Sequence, residues 1–218
     1  LGSYKDLGEE KGFTQLVEGL EETLKGYKGF TQFLIEISAG SGAIIGDSFE
    51  ELADLMEPLV RLKGFGGICF DTQHAFASGY DLRDDATVAS TFAKFERIIG
   101  LKWLKMCHIN DSKPDLGERK DRHDHIGEGK IGVDGFKAVL RYFNKHLKAL
   151  SPPRSARGTL SPKGESNNVA FGAFPLILET EHDKVKADIK ILKSIRDKNS
   201  LPFVIPRLTR DPDNSESK

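Results

Sequence analysis

The sequence predicts an α/β protein in which a parallel sheet is wrapped by helices. Three observations carry that expectation. Four short apolar runs, 33–37, 66–71, 103–109 and 175–179, read as strands buried on both faces. Each is followed, directly or after a loop, by a segment whose apolar residues recur at helical spacing. The two patterns alternate along the chain, as βα units do, and four such units make half of an eight-stranded barrel.

The elements follow in order. A helix over about residues 9–25 is striped by Leu16, Leu20 and Leu24 and stopped by Gly26. The first strand is Phe33-Leu34-Ile35-Glu36-Ile37, and Ala39-Gly40-Ser41-Gly42 after it reads as a tight turn. Ser48-Phe49-Glu50-Glu51 is a capping box that opens a helix with Phe49, Leu52, Met56 and Leu59 on one face. The second strand ends at Asp71, and its helix, 84–99, carries Val88, Phe92, Phe95 and Ile99 before Gly100. The third strand runs from Trp103 to Ile109. A long polar loop leads to a helix marked by Phe136, Val139, Leu140, Phe143 and Leu147 that runs out near Leu150. The fourth strand is Pro175 to Glu179, and Val185, Ile189, Leu192 and Ile195 stripe the last helix. These elements form one domain over 1–205. Ser, Pro, Arg, Gly and Asn dominate 151–172, which reads as a flexible insertion, and 206–218 reads as a disordered tail. Leu1-Gly2-Ser3 reads like the middle of a turn, so upstream sequence is expected.

Composition narrows the class. With 218 residues, 38% hydrophobic and 30% charged, the chain is long enough for one sizeable core. No apolar run approaches the roughly 18 residues that cross a membrane, and no leader pattern opens the chain. The net charge of -1 supplies no global field for nucleic acid and does not exclude it. Cys69 and Cys107 sit inside apolar strands, which fits reduced core thiols of an intracellular protein, cytoplasmic if bacterial, nuclear or mitochondrial if eukaryotic.

The chemistry gathers at the strand ends. Each of the four strands carries, at or near its carboxyl end, a residue able to bind a metal: Glu36, Asp71, His108 and Glu179. Any one alone would read as a helix cap or a loop residue. In a parallel barrel, however, the carboxyl ends of the strands meet on one face, where these four would share a pocket. An acid in a buried strand costs several kcal/mol unless it is paired or ligates a cation. Two loops add donors. Asp71-Thr72-Gln73-His74 brings His74 over the same opening. Asp121 and His123 point the same way if their segment is extended, and His125 follows. Mixed imidazole and carboxylate donors favour zinc or manganese-like ions over calcium or magnesium. Lys113, Arg119, Lys120 and Arg122 crowd the same loop.

The motifs are specific enough to name a family. Asp71-Thr72-Gln73-His74-Ala75-Phe76-Ala77-Ser78-Gly79-Tyr80-Asp81-Leu82 resembles the D-T-x-H-A-F-x-x-G-Y-D-L signature of the endonuclease IV family. His108-Ile109-Asn110-Asp111-Ser112-Lys113 and Asp121-Arg122-His123-Asp124-His125-Ile126-Gly127-Glu128-Gly129 are similar to its H-x-N-D-S-K and D-R-H-x-H-I-G-x-G signatures, and Leu176 to Thr180 to its last-strand motif. The similarity spans about 1–149 and 173–197. It departs at Ile37-Ser38, Gln73 and Glu181, where the family usually has Asn-Thr, Cys and Pro.

The resemblance implies a TIM-type (β/α)8 barrel, of which the C-terminal half is present, with a trinuclear zinc (Zn2+) site. Glu36 would bridge two zincs and act in catalysis. Asp71, His108 and Glu179 would complete the second, and His74, Asp121 and His123 would hold the third. The first would need two histidines from strands outside this chain. The implied partner is double-stranded DNA with abasic sites, cut on the 5′ side to leave a 3′-hydroxyl and a 5′-deoxyribose phosphate, by a protein that is monomeric when complete. Lys113, Arg122 and His125 are the candidate DNA contacts. The alternatives are a metal-dependent sugar isomerase or epimerase on the same barrel, which lacks a set like His74, Asp121 and His123, and an inactive metal- or DNA-binding remnant.

Overall fold

A computed structural model describes residues 1–147 and 174–198. The expected insertion at 151–172, the tail at 206–218 and the end of the helix at 148–150 lie outside the described residues. In chain order the elements are α1 (Glu9–Leu24), β1 (Phe33–Glu36), α2 (Phe49–Leu59), β2 (Phe65–Asp71), α3 (Thr72–Ala77), α4 (Asp85–Ile98), β3 (Leu104–His108), β4 (Asp111–Ser112), β5 (His123–Asp124), α5 (Gly132–Leu147), β6 (Leu176–Ile177) and α6 (Val185–Lys198).

The predicted parallel sheet is present, with strand order β1-β2-β3-β6, each strand beside the next in sequence. Stepwise order with a helix after each strand is how a barrel wall is built. The register sets the site: Glu36 pairs with Cys69, Asp71 with His108, and His108 with Ile177. All seven residues of β2 are buried, as a strand covered on both sides requires. The helices pack in chain order, α1 on α2, α2 on α4, α4 on α5 and α5 on α6.

Aromatic rings fill the space between helices and sheet. Phe49 stacks on Tyr80 at 3.8 Å between ring centroids, and Phe70, Phe92 and Phe143 continue the cluster at 5.0 and 5.1 Å. The Phe49 N–H donates to the Tyr80 hydroxyl at 2.8 Å, so the buried phenol is satisfied where it enters the core. Burial pushes that phenol up to about 12. Both cysteines are free and buried.

Four details differ from the sequence reading. The capping box at Ser48 is half made: its side chain accepts from Glu51 N–H at 3.1 Å, but the Glu51 carboxylate turns to Gly46 N–H at 2.9 Å and Asp47 N–H at 3.3 Å. The complete box is at α4, where Asp84 and Thr87 cap each other. A six-residue helix, α3, starts directly after β2 instead of a loop, capped by Asp71. The long polar loop holds a short antiparallel pair, β4 with β5. Among the described residues no helix is long and apolar enough to cross a membrane.

Candidate metal centre

The site is assembled from strand ends first. Glu36, Asp71 and His108 are the last residues of β1, β2 and β3, and Glu179 follows β6 by two residues. Ligand atoms of these four all lie within 4.8 Å of one another. His108 Nδ1 stands 2.8 Å from Glu36 Oε1, 3.0 Å from Glu179 Oε2 and 3.9 Å from Asp71 Oδ2. Burial works against its protonation, yet hydrogen bonds with Cys69, Glu179 and Glu36 outweigh it and push the imidazole up to about 12. Burial pushes the Asp71 carboxyl up, whereas the His108 hydrogen bond holds Glu179 down. Three carboxyl groups at this spacing repel one another when ionised, which favours a positive charge among them.

The second group comes from α3 and the loop after β4. Atoms of Asp71, His74 and His123 again lie within 4.8 Å of one another. Asp71 Oδ1 accepts the His74 N–H at 2.9 Å, which starts α3 and swings His74 over the strand ends. His74 Nδ1 lies 2.9 Å from the Ile37 carbonyl and His123 Nδ1 lies 3.4 Å from that of Glu179. A carbonyl only accepts, so Nδ1 carries a hydrogen on both rings, which in the neutral imidazole leaves the Nε2 lone pair free to ligate. Both Nε2 atoms are buried without a hydrogen-bond partner. Asp121 Oδ1 lies 3.4 Å from one and 3.6 Å from the other. Two bare imidazole nitrogens and carboxylate oxygens aimed at one another, with the far ring nitrogens anchored to carbonyls, form a donor set that fits a zinc-like ion.

Asp121 is placed by the glycine-rich turn. The Ser41 hydroxyl accepts the Asp121 N–H at 3.0 Å and donates to the Arg119 carbonyl at 3.1 Å. Gly40 adopts φ 70°, and a Cβ there would lie 2.6 Å from Asp47 Oδ2, so the turn requires glycine.

The structure thus brings Glu36, Asp71, His108 and Glu179 together and Asp71, His74 and His123 together, with Asp121 beside the two histidines, and of these Asp121, His123 and Glu179 line a cleft. Lys113, Arg122 and His125 line it together with Asp121, His123 and Glu179. His125 stands outside the ligand groups: its Nδ1 is 2.8 Å from Asp188 Oδ2 and its Nε2 is 3.2 Å from Asp183 Oδ1. The Asp188 hydrogen bond, working against a smaller burial effect, raises its pKa. Arg122 donates to the Asp121 carbonyl and keeps its side chain exposed. His182 is exposed in the loop after β6.

Several supporting residues have roles that the sequence does not assign. Asp111 is fully buried and accepts the N–H groups of Ser112, Gly127, Ile131 and Gly132 at 2.8–3.3 Å, so it folds the glycine-rich loop back against β4. Gln73, a departure from the family pattern, donates to the Lys120 carbonyl at 2.9 Å and to Ser112 Oγ at 3.3 Å, bracing the residue before Asp121. Asp188 on α6 accepts from Ile126 N–H at 2.9 Å and Thr180 Oγ1 at 2.8 Å. The signal for Asp188 was available, since an acid on an apolar helical stripe beside Ile189 and Leu192 is unusual.

Comparison with known proteins matches this geometry to a family. Residues 1–151 match the family described as "Xylose isomerase-like TIM barrel". A protein named "Probable endonuclease 4" from Nitrosopumilus maritimus is 43% identical over 145 residues, covering 66% of this chain and 51% of that protein. Another of the same name from Cenarchaeum symbiosum is 34% identical over 196 residues, covering 90% of this chain and 60% of that protein. The crystal structure of endonuclease IV from Thermus thermophilus superposes with a TM-score of 0.63 at 26% identity, over 85% of this chain and 58% of that one. The chain thus spans about half to three fifths of the length of these relatives.

Proposed function

Because the chain belongs to the xylose isomerase-like TIM-barrel family, on its endonuclease IV branch, we propose that the complete protein is a zinc-dependent DNA-repair endonuclease. It hydrolyses the phosphodiester 5′ to an abasic site and leaves a 3′-hydroxyl and a 5′-deoxyribose phosphate. The observation that carries this reading is the pair of partnerless Nε2 atoms, on His74 and His123, aimed among carboxylates at the strand ends.

Glu36, Asp71, His108 and Glu179 would hold one zinc, and His74, Asp121 and His123 another. Bound zinc supplies charge neutralisation for the phosphate, an activated water at neutral pH and stabilisation of the leaving oxygen. The chain's own residues set the stage. Glu36, one-third exposed, presents its carboxylate to His108 and keeps a solvent-facing side that can hold and orient a water. Lys113 and Arg122 offer cationic heads at the rim for the DNA backbone. His125, hydrogen-bonded to Asp188, lies beside them. Abasic selectivity follows if a flipped sugar enters a space that a normal nucleotide cannot.

The test is incubation of the complete protein with a duplex carrying one abasic site, with and without a chelator. A chelator-sensitive nick 5′ to the lesion is expected, and Glu36→Gln should abolish it. Absence of any such nick rejects the proposal. Sugar isomerisation in its place, with one or two manganese-like ions per chain, would establish the isomerase alternative.

A further inference from the structure

We propose that Asn110 is the positioning residue of the metal centre, the one side chain that fixes both the Asp71 and the Glu179 carboxylates where an ion can use them. The inference rests on the metal-centre reading above and deepens it. Asn110 lies two residues past β3 and is fully buried. Its Nδ2 donates to Asp71 Oδ2 at 2.7 Å and reaches Glu179 Oε2 at 3.5 Å, while its Oδ1 accepts the Glu179 N–H at 2.8 Å.

The orientation of this amide is determined. Turned over, it would set an oxygen against two carboxylates and an NH2 against an N–H, losing every bond it makes. Its backbone is equally fixed, because Asn110 N–H donates to Thr72 Oγ1 at 2.8 Å and the same hydroxyl donates to the Asn110 carbonyl at 2.7 Å. Thr72 is the first residue of α3, so one buried side chain ties together the ends of β2, β3 and β6.

Each ligand has a reason to need this support. Asp71 Oδ1 is committed to capping α3, and the hydrogen bond from Asn110 leaves the second lone pair of Oδ2 directed toward His108 and His123, each 3.9 Å away. Glu179 follows a strand of only two residues, and its side chain is 41% exposed. Regular structure does little to hold it. The Asn110 amide oxygen takes the N–H of Glu179 itself, so the ligand's backbone is located by the same group that orients its partner carboxylate. Outer partners of this kind typically tune metal affinity by about 10- to 100-fold.

The experiment is Asn110→Asp in the complete protein. The change keeps the size and the acceptor for Glu179 N–H, removes the donor, and sets a fourth carboxylate against Asp71 and Glu179. Zinc affinity is read by competition with a chromophoric chelator, alongside the thermal midpoint of the metal-free protein. The expected result is one zinc bound roughly 10- to 100-fold more weakly, with the remaining zincs unchanged. If the Asp variant does not fold, Asn110→Ser, smaller and uncharged, is measured in the same way and should show the same selective loss. A variant that lowers only the metal-free midpoint, with every zinc constant as in the wild type, overturns the proposal and leaves Asn110 a structural amide. Wild-type protein that binds no zinc would instead sink the metal-centre reading itself.

Discussion

Asp111 shows how single groups carry the site. A fully buried carboxylate ordinarily costs several kcal/mol, and here three backbone N–H groups from one loop and that of neighbouring Ser112 answer it, although burial still pushes its pKa up. The loop closes tightly around it: a Cβ on Gly129 would lie 2.6 Å from Asp111 Oδ1 and 2.6 Å from the Ser112 carbonyl. Gly129→Ala should therefore destabilise the protein by about 1–3 kcal/mol in chemical denaturation. It should also loosen the loop bearing His123, and a variant of wild-type stability would show that the loop is slacker than described. The candidate ligands Glu36, Asp71 and His108 stand out in the sequence because they lie at or near the ends of strands whose apolar runs are unmistakable. Asn110, Asp111 and Gln73 were not, because their partners lie 16 to 69 residues away in sequence and only folding brings them into reach.

Elements were readable where periodicity is long. The stripes of α2, α4, α5 and α6 gave their faces, since each must bury a row of apolar side chains against the sheet. Short elements escaped. Six residues of α3 make less than two turns, too few for a period to show, and its existence depends on Asp71 serving as cap and candidate ligand together. The fourth strand was expected over 175–179, yet β6 pairs only at Leu176 and Ile177, because beyond them Glu179 is held by Asn110 rather than by a neighbouring strand. The Ser48 motif predicts a reciprocal box, but Glu51 instead ties down the turn at Gly46 and Asp47. Two consequences separate. Ser48→Ala should cost about 1 kcal/mol of stability through the lost cap of α2. Glu51→Ala should leave the start of the helix intact and expose the Gly46 and Asp47 amides to hydrogen exchange; protection unchanged at both would refute the assignment.

The assembled chain forms one wall of a barrel. Among the described residues β1 and β6 are the sheet's edges, and an open parallel sheet invites pairing with another chain. The 218-residue chain on its own is therefore predicted to self-associate, visible by sedimentation as species heavier than 24.1 kDa that depend on concentration. A monodisperse monomer at all concentrations would contradict this. Zinc should oppose unfolding, since an ion that binds only the folded state at about 100 times its dissociation constant adds about 2.7 kcal/mol. The sequence already indicated the half-barrel and the convergence of donors, whereas the pinning of α6 to the ligand loop through Asp188 and His125 needed coordinates. The most direct measurement is anomalous diffraction at the zinc edge from crystals of the complete protein. The account predicts one peak among Glu36, Asp71, His108 and Glu179 and another among His74, Asp121 and His123, at about 2.0–2.2 Å from the ligand atoms. An ordered cleft without peaks in zinc-containing crystals, or peaks seated elsewhere, would contradict it.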